Sequence, residues 1–446
     1  MRSFMPLLGL LASSVCAGPD LICSEILSGQ TYGALGDYQS FSFGDITCNI
    51  GDEPFTYQAS TPNHPVFTSG LYRIKDGRLE QIGLSFVTHT FFPVQGNACD
   101  LGCEPGAPGM LGPGCSNTIG AALAGNQADM GPRIEVNPWS GEIVYPFRTI
   151  NETGHSYYKR LKAHASDISD PDAQYFVERQ YVSNEEAPEA RNNNSSYRRV
   201  SFTPGTNAPQ VLGDTFAGQP AIFAWRDHGL GPNMPDPDVM ISSVNHADGG
   251  VIHVGSKATD LGDGSWRYDY AIQNQNMQNE IGYGLGTFYI PIGFNRTIRD
   301  PYFNDVDYLD SPDGIYLGVD WEVYNALGLA RWYAPWMPNI YFELNFIRWG
   351  STYTFSFVSD HPPTQKFAQL GFGSFYQNYM YARVVAPTSG PCRADFNADG
   401  ALDFFDVSLW LQAYQDEDYN ADFVSDGVFD FFDVSAFLQE FNAGCP

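Results

Sequence analysis

The chain has 446 residues, too many for one small domain and enough for two or three. Hydrophobic residues make up 43% of it, which excludes global disorder. The formal net charge of −28 excludes binding to nucleic acid phosphates, which Lys and Arg recognise, and suits a soluble protein that binds cations. Short aromatic runs separated by Gly, Pro, Asn and Asp indicate a β-rich fold.

The first residues have the pattern of a secretory signal peptide. Arg2 supplies a positive charge, an apolar run follows, and Val15-Cys16-Ala17 offers small residues for cleavage after Ala17. A lipoprotein anchor on Cys16 is an alternative, although Val15 is a poor residue before a lipidated cysteine. We therefore predict a signal peptide over residues 1–17, an extracellular or cell-surface location and no transmembrane segment.

Cleavage would leave seven cysteines: Cys23, Cys48, Cys99, Cys103, Cys115, Cys392 and Cys445. Export favours disulfides, and the odd count leaves at least one thiol free or paired between chains. The spacing Cys99-x3-Cys103-x11-Cys115 is also open to metal ligation. No histidine lies nearby to complete a zinc site, so we favour a disulfide within a Gly/Pro-rich loop.

Residues 18–210 are predicted to form a β-rich N-terminal region. A hairpin over residues 71–83 turns at Asp76-Gly77, a pair that accepts the positive φ values of a tight turn. The other elements predicted here are a strand at 86–92, a loop at 96–138, short helices at 157–164 and 172–182, and a polar loop at 192–196.

A period of two becomes regular after residue 211. Large apolar side chains at Trp266, Tyr268, Tyr270 and Ile272 alternate with smaller or polar ones, which places them on one face of a strand. The same alternation recurs at 288–292 and 353–357. We predict an antiparallel β-sandwich over residues 211–388. Whether this region and the N-terminal region form one domain or two stays open.

The last part of the chain contains an internal repeat. The segment DFNADGALDFFDVSLWLQAY begins at Asp395 and DFVSDGVFDFFDVSAFLQEF begins at Asp422, with 12 of 20 positions identical. Each half opens with a 12-residue loop that carries oxygen ligands at the alternating positions of an EF-hand. Hard ligands at this spacing suit calcium. From Cys392 onward, 12 acidic residues and one basic residue give the tail a charge of −11.

The predicted calcium ligands follow from the loop positions. In the first loop they are Asp395, Asn397, Asp399, the carbonyl of Ala401, Asp403 and Asp406. In the second loop they are Asp422, Asp426, the carbonyl of Val428, Asp430 and Asp433. Val424 takes position 3 of the second loop and offers no side-chain oxygen, so we expect that site to bind calcium more weakly.

A helix is predicted after each loop, because apolar residues recur there at helical spacing. Paired phenylalanines occupy loop positions 10 and 11 in both halves: Phe404, Phe405, Phe431 and Phe432. These four rings either fill a small core or anchor a partner. The sequence leaves both interpretations open.

The loop–helix units resemble type I dockerin modules, because Pro391 and Cys392 leave no room for an entering helix. The tail ends in Ala-Gly-Cys-Pro, like the cysteine-bounded dockerins of exported bacterial proteins. Over residues 391–446 the resemblance implies a small all-α module that folds with calcium and docks to a cohesin-like protein or a cell-surface receptor. Cys392 and Cys445 bracket the repeat, and we predict that they form a disulfide because antiparallel units bring the two ends together.

The large region ahead of the tail carries no motif of a known catalytic site, such as HExxH, GxSxG or a phosphate loop. Candidate glycosidase acids are Glu142, Glu178, Glu322 and Glu343, and nothing selects two of them. Two further clusters are each open to two interpretations. The acidic run 305–313 is either a calcium site or a loop without metal, and we favour the loop without metal. The aromatic run 332–349 either stacks on sugar or packs in a core, and we favour the core. His246 and His253 are expected to meet on neighbouring strands as ordinary surface or core residues.

Four segments of the large region, LYRIKDGRLEQIG, NNNSSYRRV, WRYDYAIQNQN and RWGSTYTFSF, resemble an uncharacterised group of exported bacterial proteins. The resemblance carries no activity. Two hypotheses remain. The first is an exported, non-catalytic binding or surface-assembly protein tethered by its tail, with polysaccharide as a possible ligand. The second is a secreted hydrolase that acts on polysaccharide. We favour the first, because no catalytic constellation is present.

Overall fold

The computed structural model describes residues 18–58, 60–246, 249–277, 284–293, 296–306, 308, 318–326, 328–335, 344–373, 379–388, 393–397, 401–424 and 426–444. Strands account for 44% and helices for 14% of the structure, which confirms a mainly β fold. The predicted signal peptide, residues 1–17, lies outside the described residues. No helix in the described ranges is long and apolar enough to cross a bilayer.

The described strands, in chain order, are β1 (Leu21–Leu35), β2 (Tyr38–Asn49), β3 (Phe55–Thr56), β4 (Val66–Lys75), β5 (Arg78–Leu84), β6 (Val87–His89), β7 (Met110–Leu111), β8 (Ser116–Ile119), β9 (Met130–Gly131), β10 (Leu161–His164), β11 (Gln174–Val182), β12 (Ser195–Phe202), β13 (Pro209–Phe216), β14 (Met240–Asn245), β15 (Val251–Asp260), β16 (Trp266–Asn274), β17 (Leu285–Pro291), β18 (Arg299–Asn304), β19 (Glu322–Ala326), β20 (Leu329–Tyr333), β21 (Ser351–Ser359), β22 (Pro363–Phe372) and β23 (Tyr379–Pro387). The α-helices are α1 (Ala121–Ala124), α2 (Ile222–His228), α3 (Phe404–Gln415) and α4 (Phe431–Ala443). Short 3-10 helices cover Gln127–Asp129, Arg133–Glu135, Ala165–Ile168, Ala190–Asn193 and Tyr419–Ala421.

Four antiparallel sheets contain nearly all of these strands. Sheet I has the order β1-β2-β10, with β8 also paired to β2, and sheet II has the order β13-β12-β11-β4-β6-β9, with β5 paired to β4. Sheet III has the order β14-β15-β16-β21-β18, and sheet IV has the order β19-β20-β17-β22-β23. The strand β13 contains the boundary predicted between residues 210 and 211.

The sheets stack in four layers. Sheets I and II enclose one apolar core, to which Phe43 of β2 and Val177 of β11 belong. Sheets III and IV enclose a second core, to which Tyr270 of β16 and Phe288 of β17 belong. Each pair of sheets is therefore sandwich-like, with side chains of alternate residues filling the space between its inner faces.

Sheets II and III also face each other, so both are covered on two sides. A third apolar cluster joins Phe176 of sheet II, Ala271 of sheet III and Trp225 of α2. Buried polar bonds cross the same boundary: the side chain of Gln81 accepts from Thr352 N–H at 2.7 Å and donates to the carbonyl of Gly350 at 3.2 Å. The two β-rich regions are thus joined by a desolvated interface.

Several predicted elements are confirmed. The hairpin over 71–83 is β4 and β5, with Lys75 opposite Arg78 and positive φ values of 52° at Asp76 and 79° at Gly77. The alternating segments at 266–272 and 353–357 lie in β16 and β21, and the segment at 288–292 lies in β17 except for Ile292, which follows its end. The strand predicted at 86–92 is shorter, since β6 covers only Val87–His89.

The two helices predicted at 157–164 and 172–182 are wrong, because these segments contribute the strands β10 and β11. Nearly every residue of β11 is buried, including Phe176 on one face and Val177 on the other. A strand between two covering layers has no solvent face, so the alternation that marks a half-exposed strand is lost. The polar loop predicted at 192–196 is also partly wrong, because Ser195 and Ser196 are buried in β12.

The disulfide expected within the Gly/Pro-rich loop is confirmed. Cys103 is bonded to Cys115, and a second disulfide joins Cys48 of β2 to Cys99. The Cys48–Cys99 bond fastens the long segment between β6 and β8 to sheet I, and the Cys103–Cys115 bond closes a loop within that segment. Among the described residues, Cys23 is the free cysteine and is buried. The predicted pair Cys392 and Cys445 lies outside the described residues.

Candidate calcium-binding and docking site

The C-terminal module has its own apolar core between α3 and α4. The ring of Trp410 stacks on Phe437 with centroids 4.2 Å apart and planes inclined by 4°, and Phe423 meets both rings edge-on. All three side chains are buried. Arg393 links the two halves, since its guanidinium donates to the carbonyls of Asp422 and Phe423 at 3.0 and 2.9 Å. The repeat therefore folds as one unit around a shared core.

The first loop is closed by its position-12 carboxylate. Asp406 is fully buried and accepts from Asn397 N–H at 3.1 Å and from Asp403 N–H at 2.9 Å. Asp403 in turn accepts from Phe405 N–H at 2.8 Å, so the two aspartates form a capping box at the start of α3. The spacing that predicted metal ligands therefore also serves the helix N-terminus.

The second loop repeats this geometry. Asp433 is buried and accepts from Val424 N–H and Asp430 N–H, each at 3.0 Å. Asp430 caps α4 by accepting from Phe432 N–H at 2.7 Å. Asp422, the position-1 residue, also accepts hydrogen bonds from the backbone of this loop.

The carboxylate of Asp422 accepts from Asp426 N–H at 3.3 Å and from Gly427 N–H at 2.9 Å. Asp426 accepts from Val428 N–H at 3.0 Å. Backbone N–H groups of this loop therefore point at its own acidic side chains. The metal donors that its described residues offer are carbonyl and carboxylate oxygens. Such a donor set fits a hard cation such as calcium and suits neither zinc nor copper.

The described residues cover both loops except for positions 398–400 and 425. Within those ranges, no three His, Cys, Asp or Glu side chains lie close enough together to hold a metal ion. Asp399, the predicted position-5 ligand of the first loop, lies outside the described residues. If calcium binds, Asp395, Asn397, Asp403 and Asp406 are the described side chains that would hold it in the first loop. The ion would supply a charge that offsets the mutual repulsion of these acids.

The paired phenylalanines do not fill the core. Phe404 and Phe405 are 75% and 65% exposed, and Phe431 and Phe432 are 75% and 66% exposed. Within each pair the ring centroids lie 6.3 and 6.4 Å apart. The core interpretation of these rings is therefore wrong. Large apolar rings exposed at the first turn of both helices form a solvent-facing feature that the fold itself does not use.

Among the candidate acids of the large region that the structure describes, Glu178 is buried, whereas Glu142 and Glu322 are exposed. Glu178 is buried between sheets II and III, where it accepts from Gln273 at 2.8 Å and from Ala221 N–H. Burial raises its pKa, which these hydrogen bonds oppose. Glu142 and Glu322 are exposed on separate elements, and Glu343 lies outside the described residues.

The remaining sequence candidates are structural where they are described. Trp332 and Trp349 are each 2% exposed, which confirms the core interpretation of these two members of the aromatic run. His253 is buried, and its two ring nitrogens contact Ser243 Oγ at 2.8 Å and Gln275 Oε1 at 2.7 Å. His246 lies just beyond the end of β14. Asp305 accepts a hydrogen bond from the side chain of Asn345, and Tyr333 is half-buried in β20. The members that lie outside the described residues are Asp307, Asp310, Asp313, Trp336 and Tyr341.

One site was missed by the sequence. A cavity of about 580 Å³ lies between the outer face of sheet IV and the C-terminal end of α3. Its lining comes from strands and a helix that are up to 129 residues apart along the chain, from Tyr289 to Asp418. No local pattern marks such a site. In comparisons with known proteins, the chain matches no protein-family model and no curated protein.

Proposed function

We propose that the protein is exported and acts as a non-catalytic binding or surface-assembly protein, held in place by calcium-dependent docking of residues 391–446. The docking partner would be a cohesin-like protein or a cell-surface receptor. One observation carries the proposal: two equivalent loop–helix units each present an exposed pair of phenylalanines beside a closed acidic loop.

Exposing these aromatic rings to water is unfavourable, and the fold does not require it. Aromatic rings are enriched among the residues that dominate binding energy at protein interfaces, and they work best when a partner removes them from water. Phe404 and Phe405 follow the first helix cap directly, and Phe431 and Phe432 follow the second. Each ring pair is therefore positioned by a loop whose order would depend on calcium.

The charge of the tail supports a role for the cation. Asp406 and Asp433 are fully buried, and the tail as a whole carries −11. Like charges at this density repel one another, and a bound divalent cation reduces that repulsion. Calcium binding would thus favour the closed loops and, through the caps, the orientation of the exposed rings.

The calcium part of the proposal is tested by calorimetric titration of the full chain. We expect two unequal sites, with Asp395→Ala removing the tighter one. The matched control is Asp416→Asn, which removes an acid that follows α3 and lies outside both loops. Absence of calcium-dependent heat in the unaltered protein would contradict the proposal.

The docking part is tested by adhesion of the labelled full chain to cells of the source organism, in calcium and in a chelator. Phe404→Ser together with Phe431→Ser should abolish calcium-dependent adhesion. Leu411→Ser, at a residue of α3 that is 53% exposed and lies outside both calcium loops, is the control and should leave adhesion in place. Adhesion that survives both Phe substitutions would show that the rings are not the docking surface.

The non-catalytic part rests on the placement of the candidate acids. A glycosidase needs two carboxyl groups flanking one bond across a cleft. Glu178 is enclosed by Gln273, Tyr72 and Ala221 inside the protein, which makes it a structural acceptor. Hydrolysis of a glycan by the purified chain, stopped by a single Glu→Gln change, would overturn this part.

A further inference from the structure

The outer face of sheet IV carries a row of side chains that crosses all five strands. Tyr324 lies opposite Arg331, Arg331 opposite Tyr289, Tyr289 opposite Gln369, and Gln369 opposite Tyr381. These five side chains are exposed or half-buried, whereas the adjacent residues of β17, β20, β22 and β23 are buried in the core. We call this set the tyrosine row.

The row alternates aromatic rings with polar side chains. Neighbouring strands lie about 4.8 Å apart, so successive tyrosines of the row are spaced about 10 Å apart. Arg331 stands between the first two tyrosines, with its guanidinium carbon 5.2 Å from the centroid of the Tyr289 ring. Gln369 stands between the last two. The result is a regular, nearly linear array of flat rings and hydrogen-bonding groups.

The cavity described above lies over this row. Its floor includes Tyr289, Arg331, Gln369 and Tyr381, and its wall is formed by residues 409–418 at the end of α3. Arg331 and Gln369 both belong to the cavity lining, so a guanidinium and an amide group stand between the rings as hydrogen-bonding partners for a ligand.

We propose that the tyrosine row binds a linear, uncharged polysaccharide that lies across the strands of sheet IV. Sugar rings present flat C–H faces that stack on aromatic rings, and hydroxyls that bond to amide and guanidinium groups between the rings. The spacing of about 10 Å between successive rings lets an extended chain of sugar rings contact the tyrosines one after another.

The charge of the site selects a neutral glycan. Asp416, Glu417 and Asp418 line the wall, against Arg331 as the cation of the floor. A polyanionic glycan would be repelled by this wall and by a protein of net charge −28. The inference deepens the proposed binding role and rests on it, but it uses none of the residues of the calcium loops.

The test uses the full chain in depletion assays with insoluble neutral glucans, xylan and chitin, and with alginate as a polyanion. We expect retention on at least one neutral glycan, and about tenfold weaker retention for the double change Tyr289→Ala and Tyr381→Ala. Tyr289→Phe keeps the ring and should retain binding. Phe92→Ala removes a ring that is 68% exposed in the N-terminal region and is the matched control.

Each outcome decides one point. If the unaltered chain binds none of the neutral glycans, or binds only alginate, the site assignment is overturned. If it binds and the double variant, folded by circular dichroism, binds equally well, the glycan site lies elsewhere and the tyrosine row is overturned while the binding role stands. Calcium-dependent adhesion is measured separately, so its loss or survival reports on the docking proposal alone.

Discussion

Glu186 provides a quantitative test of how a buried carboxyl group changes the stability of this fold with pH. It is 2% exposed, and its carboxylate accepts from Leu21 N–H and from the side-chain amide of Asn194, both at 2.7 Å. Burial raises its pKa to about 8 in spite of these two bonds. We predict that Glu186→Gln stabilises the protein at neutral pH. The new amide keeps an oxygen for Leu21 and donates to Asn194 Oδ1, which lacks a partner among the described residues, once the Asn194 amide rotates.

The magnitude follows from proton linkage. A glutamate has a pKa of about 4.3 in an unfolded chain, so between that value and about 8 the folded state of this protein binds more protons than the unfolded state. The contribution of Glu186 to stability is therefore fully present below about pH 4 and is lost as pH rises to about 8. At about 1.4 kcal/mol for each pH unit, the loss at pH 7 is about 4 kcal/mol. Glu186→Gln removes this loss, so the gain in stability is about 4 kcal/mol at pH 7 and close to zero at pH 4.

The assay is urea unfolding at pH 4.5, 7 and 8.5, followed by tryptophan fluorescence. Glu189→Gln is the control, because Glu189 is exposed three residues away and its removal should leave the pH dependence unchanged. A Glu186→Gln variant that is destabilised equally at pH 4.5 and pH 8.5 would refute the reasoning. It would show that Glu186 is ionised in the fold and stabilised by its two donors.

Three further predictions concern single side chains. Trp410→Ala should destabilise the C-terminal module by about 3–5 kcal/mol, since Trp410 is 2% exposed against Phe437, and should raise hydrogen exchange over 401–444, whereas Phe404→Ala should not. Lys159→Met should lower the melting temperature by several degrees, because the three N–H groups of the buried Lys159 ammonium lie within hydrogen-bond distance of four backbone carbonyls; an unchanged value would contradict this. Gln81→Leu should lower the free energy of unfolding in urea by about 1–3 kcal/mol, because it leaves without a partner the two buried polar groups that Gln81 bonds between sheets II and III. An unchanged free energy of unfolding would contradict a desolvated interface.

The sequence predicts those elements whose signal is local. Asp76-Gly77 specifies its hairpin because two positive φ values are needed there, and the observed values are 52° and 79°. The alternation in β16 survives although both of its faces are covered, because large apolar side chains face the core of sheets III and IV while the other face buries Asp269, Ala271 and Gln273. The loop–helix repeat is equally local, because capping aspartates and helical apolar spacing lie within 20 residues.

The sequence fails at β11, where apolar side chains lie on both covered faces of the strand. In β11, Phe176 packs towards α2 and sheet III, Val177 packs towards sheet I, and Glu178 is buried with polar partners from other elements. Neither period of two nor period of 3.6 stands out in such a segment. Its strand identity depends on a four-layer arrangement that forms only after residues far apart in the chain have met.

Aromatic residues mislead in the same way when they are judged by their density along the chain. The run that contains Trp332 and Trp349 predicts a sugar-binding surface only if those rings face solvent, and both are buried. The rings that do face outward in sheet IV, Tyr324, Tyr289 and Tyr381, are spread over 93 positions from first to last. Strand register brings them into one line, and register depends on pairing along whole strands. Binding faces on a β-sheet are thus found by following a row across strands, and a cluster within one strand places half of its members in the core.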